Sequence, residues 1–167
     1  MVKRLQNRSG YSLAEAMIVV AILGGLVLVG PEIFKRSTQF FILHRTKLEL
    51  QREARTTIAL ISRNLRQAQS GTLVLDRLDA NQPFYSRVRF THVDGSAVTF
   101  YQSGKALLGS VGSSNISLSP NLRYLAFTFP RSDDMTIISL SLTLEKGTYE
   151  HYAKALHMAS EKVRVMN

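Results

Sequence analysis

Glu15 is the one acidic residue in an otherwise uncharged run, SLAEAMIVVAILGGLVLVGP at residues 12–31, that is long enough to enter a bilayer. An ionised carboxylate at membrane depth costs roughly 2.5–3.5 kcal/mol on insertion scales, so such a residue reads as functional and calls for a cationic partner. The other residues with chemical capability are dispersed. His44, His92, His151 and His157 have no metal-ligand spacing, and His151 and His157, six apart, do not share a helix face. Asp76, Asp79 and Asn81 superficially match a calcium loop, without its glycine or distal glutamate. Asp133 and Asp134 sit where a turn is expected, with local hydrogen bonding as their role. There is no glycine-rich phosphate loop, no nucleophile elbow and no paired-carboxylate arrangement. With Cys 0 there is also no disulfide, no thiolate metal site and no cysteine nucleophile. These absences predict no catalytic residue, no metal, no cofactor and no enzymatic activity.

The elements that must position Glu15 begin with the run itself. Residues 11–30, about 20 in number, would span roughly 30 Å as a helix, the thickness of a hydrocarbon core. Lys3, Arg4 and Arg8 precede it and favour retention of that end in the cytoplasm, with Lys35 and Arg36 beyond it reducing the contrast. A removed secretory signal has an apolar region of only about 7–15 residues, whereas this run continues into Pro31, Glu32 and a helical pattern. A plain signal anchor fits the length but gives no reason for Glu15. Gly24, Gly25 and Gly30 are poor helix formers in water, yet in a membrane small residues permit close helix contact, and Ala21 with Gly25 has a small-xxx-small spacing. Pro31 removes a backbone donor, which predicts a kink near residues 27–31.

Beyond Pro31 the chain of 167 residues has room for one modest domain. Residues 32–69 lack proline and glycine, and Leu50, Ala54, Ile58, Ile61, Leu65 and Ala68 recur at steps of three and four, one apolar helix face. Arg52, Arg55, Arg63 and Arg66 point in other directions, and Ser70 with Gly71 supplies the stop. Phe34, Phe40, Phe41, Ile42 and Leu43 are apolar over more than one face, as for a segment buried among neighbouring helices or for an interfacial aromatic belt. After Gly71 the period becomes two. Val88 and Phe90 alternate with Arg87 and Arg89, and Asp94-Gly95 leads to Val98 and Phe100 as a hairpin. Ser103-Gly104 predicts a second turn into residues 105–108, and residues 109–121 read as a loop with at most a short strand. Leu125, Phe127 and Phe129, then Ile138, Leu140, Leu142 and Leu144, mark two half-buried strands joined through 130–134. Tyr149, Tyr152, Leu156 and Ala159 fit a final helix by spacing. The expectation is an α+β domain, an antiparallel β-sheet packed on the 48–68 helix. Its formal charge of +9, Lys+Arg 21 against Asp+Glu 12, is spread along the chain without an aromatic-rich basic cluster, so nucleic acid is not an expected partner.

Gly10, Tyr11, Ser12, Leu13, Ala14 and Glu15, behind a short basic leader and ahead of the apolar run, resemble the type IV prepilin signal of pilins and type II secretion pseudopilins. The resemblance implies cleavage between Gly10 and Tyr11 by a prepilin peptidase and N-methylation of Tyr11, where most members carry phenylalanine or methionine. It implies that Glu15 pairs with the α-ammonium of a neighbouring subunit and sets axial register, the bland alternatives being solvation at the membrane edge or a pair with its own N-terminus. The segment EARTTIALISRNLRQAQS, residues 53–70, resembles minor pseudopilins of the J type and minor pilins of the PilW type. The implied organisation is a leader at 1–10, a membrane-spanning half-helix at 11–31 with its kink at Pro31, an amphipathic half at 32–70 and a pilin-like sheet domain at 71–167, with a strand favoured for its last segment. Expected partners are the peptidase, other pilin or pseudopilin subunits and, before assembly, inner-membrane lipid. The implied function is a minor structural subunit of a type IV pilus or type II secretion pseudopilus, first single-pass in the inner membrane with its domain outside the cytoplasm. Two other readings remain: a DNA-binding or DNA-uptake surface pilin, and a signal-anchored protein that never polymerises.

Overall fold

The computed structural model describes Gly10 and residues 12–149 and 153–166. The basic leader residues, Tyr11, His151 and Tyr152 lie outside the described residues. The chain divides into two compact units, Met1–Phe41 and Ile42–Asn167. One helix, α1 (Leu13–Arg66, 54 residues), supplies the described secondary structure of the first unit and the start of the second, and Pro31 lies inside it.

Within the second unit α1 buries the stripe that its spacing predicts. Leu50, Ala54, Ile61 and Leu65 are fully buried and Ile58 nearly so. Burial of each such leucine or isoleucine contributes about 1.5–3 kcal/mol. The helix ends at Arg66, three residues before the expected stop. Gln67 and Ala68 donate backward three residues, to Asn64 (3.1 Å) and Leu65 (3.1 Å), which tightens the last turn. A 3-10 turn at Ser70–Thr72 follows. Ala68 is nevertheless buried, bridging to His92.

Among the described residues eight strands follow in two antiparallel sheets, where a single sheet is expected from the sequence. The first is a meander in sequence order: β1 (Val74–Asp76), β2 (Arg87–Thr91), β3 (Ala97–Ser103), β4 (Ala106–Val111) and β5 (Ser114–Ser119). The second joins β6 (Leu122–Thr128), β7 (Ile137–Gly147) and β8 (Lys154–Arg164). The Asp94-Gly95 turn joins β2 to β3, with Gly95 at φ 85°, a left-handed conformation that glycine adopts without steric cost. The Asp94 carboxylate accepts the Ser96 amide at 2.8 Å and fixes that turn.

Residues 109–121 are mostly strand and not loop. β5 is a largely exposed edge strand with two apolar residues, Ile116 and Leu118, an alternation too short to mark a strand amid serine, glycine and asparagine. Gly109 belongs to β4, and a Cβ there would lie 2.7 Å from the ring of the fully buried Phe100. The final segment is strand β8 and not a helix. Ala155 and Val163 face the core, whereas Leu156 and Met158 point outward, so the helical spacing of Leu156 and Ala159 joins residues on opposite faces of a strand.

Both sheets and the helix stripe share one apolar cluster. Val88, Phe90, Val98, Phe100 and Leu107 enter it from the first sheet, and Leu125, Phe127, Ile138, Leu140, Leu142 and Leu144 from the second. The sheets are stitched by backbone bonds from Leu122 to Lys105 (2.8 Å) and from Phe127 to Tyr85 (2.9 Å). The architecture is therefore α+β: a long N-terminal helix packed through its second half on antiparallel sheet.

Candidate functional site

The start of α1 is built by two side chains. The Ser12 amide donates to the Glu15 carboxylate at 2.9 Å, and the Glu15 amide donates to Ser12 Oγ at 3.3 Å. This reciprocal capping box satisfies two of the amides that a helix start leaves without partners, and a carboxylate there is favoured by the helix dipole. Ser12-x-x-Glu15 is the sequence signature of such a box, and reading Glu15 only as a charge in a membrane passes over it. Both residues are exposed. Gly10 is exposed as well, with no atom within 4 Å of where a Cβ would stand. Tyr11, and with it any pairing of Glu15 with a new N-terminus, falls outside the described residues.

From Leu13 the helix surface is apolar on every side. Met17, Ile18, Val20, Leu23, Leu26 and Val27 are each more than half exposed. An 18-residue window reaches a mean hydropathy of 2.4 with none of it buried, and this is one helix long and apolar enough to cross a membrane. A helix that is hydrophobic all round is stable only when lipid or other helices cover it. Apart from their chain neighbours and the adjoining helix backbone, nothing lies within 4 Å of a notional Cβ at Gly24, Gly25 and Gly30, so each leaves open space for a neighbour. Phe34, Phe40 and Phe41 are exposed too, with Phe40 and Phe41 edge to face at 6.4 Å.

In the second unit three acidic side chains, Asp76, Glu145 and Glu49, are committed to cations on the sheets. The Asp76 carboxylate accepts two bonds from Arg87, at 2.5 and 2.7 Å, and a third from Arg89 at 2.7 Å. Hydrogen bonding from Arg87 holds its carboxyl below the usual carboxylate range. Glu145 is held low in the same way, by Lys154 at 2.6 Å and by Arg123. Lys146 reaches back from β7 to Glu49 on α1 at 2.8 Å, lowering that carboxyl as well. Asp76 is thus an arginine clamp, while Asp79 accepts the Asn81 amide locally at 3.3 Å. Asp133 pairs with Arg131 and Asp134 caps Thr136, both inside their turn. Among the described residues no three His, Asp or Glu side chains gather as a metal site.

A depression of about 350 Å³ lies beside the last turns of α1, lined by Ala59, Ser62, Arg63, Arg66, Gln67 and Glu161. Ser62 is buried, and its Oγ has no hydrogen-bond partner among the described residues. His92 is also buried, its ring beside Phe90 at 5.8 Å. These features have no counterpart in the sequence reading, because they depend on which strand lies beside the helix end. Neither protein-family models nor curated proteins provide a match to this chain.

Proposed function

We propose that the chain is a minor pilin-like structural subunit of a type IV pilus or type II secretion pseudopilus. In this reading it enters the inner membrane as a single-pass precursor with its sheet domain outside the cytoplasm. A prepilin peptidase cuts between Gly10 and Tyr11 and methylates Tyr11, and the subunit then joins a filament. Its activity is noncovalent. The observation that carries this reading is the sequence Gly-Tyr-Ser-Leu-Ala-Glu ahead of a long apolar run whose helix leaves its apolar residues exposed, while the later turns of the same helix supply Leu50, Ala54, Ile58, Ile61 and Leu65 to the core of the second unit.

Two further features support it. Notches at Gly24, Gly25 and Gly30 favour close contact with other helices over lipid alone. Glu15 stands at the first turn, next to the N-terminus that cleavage would create, where its charge can be shared with an ammonium in a medium of low dielectric. Replacement of Glu15 by leucine tests the filament role. The substituted chain should still enter the membrane but be lost from sheared filament fractions, and undiminished incorporation would show that the carboxylate has no part in assembly.

A further inference from the structure

We propose that the exposed face of α1 between Arg45 and Arg66 is a docking surface for an acidic helix of a partner protein, held by two arginine pairs. At 100° per residue Arg45, Arg52, Arg55, Arg63 and Arg66 fall within an arc of about 80°, roughly opposite the buried stripe of Leu50, Ala54, Ile61 and Leu65. All five are exposed. They form a line about 31 Å long at 1.5 Å per residue. Arg45 lies near the Glu49 carboxylate, whereas the side-chain bonds of the acidic residues in the segment are directed away from the two arginine pairs. Glu49 is bound by Lys146 at 2.8 Å and Glu53 accepts from Asn121 at 3.0 Å, both toward the sheets. Arg52, Arg55 and Arg63 make no side-chain hydrogen bond or ion pair among the described residues, and Arg66 has only a 3.5 Å contact with Glu161.

Like charges three apart on a helix repel, so each pair is a local cost that an acidic partner removes. Arg52/Arg55 and Arg63/Arg66 repeat after eleven residues, which places them about 16 Å apart and within about 20° of one line. A second helix with carboxylates at the same interval meets both pairs at once. Arginine suits this role because its planar guanidinium takes a carboxylate with two parallel bonds. Leu48 and Ala59 occupy the same line, both exposed. An apolar leucine ahead of the first pair and a small alanine between the pairs fit the side chains of an approaching helix, and a phosphate backbone would gain nothing from them.

The inference rests on the filament reading for where the partner is met, and on the arginines for what the partner presents. The test uses the full-length protein in detergent and a labelled helical peptide with two E-x-x-E pairs eleven residues apart. A control peptide of the same composition has one pair displaced by two residues. Fluorescence anisotropy should give at least about tenfold tighter binding of the matched peptide. The double variant Arg63→Gln/Arg66→Gln should lose about as much while melting as the native chain does. Arg63→Glu/Arg66→Glu should instead prefer a K-x-x-K peptide of the same spacing. Glu15→Gln should bind as the native chain does, because no assembly is involved, so a failed filament reading leaves this result intact. Equal affinity for matched and displaced peptides, or tighter binding of duplex DNA than of the matched peptide, would overturn the proposal.

Discussion

Replacing Ser12 by alanine removes the Oγ that accepts the Glu15 amide and leaves the Glu15 carboxylate to hold the helix start alone. Loss of such a cap costs about 1 kcal/mol, so amide hydrogen exchange in the first turn should quicken about fivefold in detergent, while Ser12→Thr should restore it. Unchanged exchange in Ser12→Ala would mean that the box contributes nothing. The same residue pair gives Glu15 a defined position before any cleavage, which a membrane-charge argument alone does not supply. Asp76 sets a second test. Its carboxyl is held below the ordinary value by Arg87, so its stabilising effect is complete above the unfolded pKa of about 3.9 and is lost as pH falls through the lower folded value. Asp76→Asn should therefore cost on the order of 1–2 kcal/mol at pH 7. The melting difference from the native chain should persist to about pH 5 and close only below about pH 4. A gap that closes by pH 6 would assign the effect to another group.

At the scale of elements, β4 carries a sharp constraint. A methyl at Gly109 meets the Phe100 ring at 2.7 Å, so Gly109→Ala should destabilise the domain by about 1–3 kcal/mol. Phe100→Leu in the same chain should recover part of that loss in chemical denaturation, and additive losses would place the clash elsewhere. How much of the fold is legible depends on how one-sided each element is. The stripe from Leu50 to Leu65 reads clearly because one face is buried and the other carries arginine. The β2–β3 and β3–β4 turns read from Asp94-Gly95 and Ser103-Gly104 because a left-handed glycine is required there. β5 is hidden because an exposed edge strand needs little apolar period, and Ile116 with Leu118 is all it carries. β8 misleads because its inner face is lined by small or modest residues such as Ala155 and Ala159, while Leu156 and Met158 lie outside. The division into two sheets is a matter of pairing between distant strands, on which local pattern says nothing.

For the molecule as a whole, the distribution of apolar surface is the main fact. The second unit gathers its buried leucines, valines and phenylalanines in one cluster, while the described part of the first unit exposes nearly all of its own. Of the candidate site, Gly10, Glu15 and the apolar run are legible from sequence because they are contiguous. The depression at the end of α1 is not, because Glu161 reaches it from a strand almost a hundred residues away. The formal charge of +9 finds its most ordered expression in the arginine line of α1. The central claim is that this chain is a processed filament subunit, and mass spectrometry of the membrane-extracted protein tests it most directly. In cells with an active prepilin peptidase the account predicts a mature chain that begins at Tyr11 and carries one added methyl group on its N-terminus. A chain that retains the Met1 to Gly10 leader in those cells would contradict it.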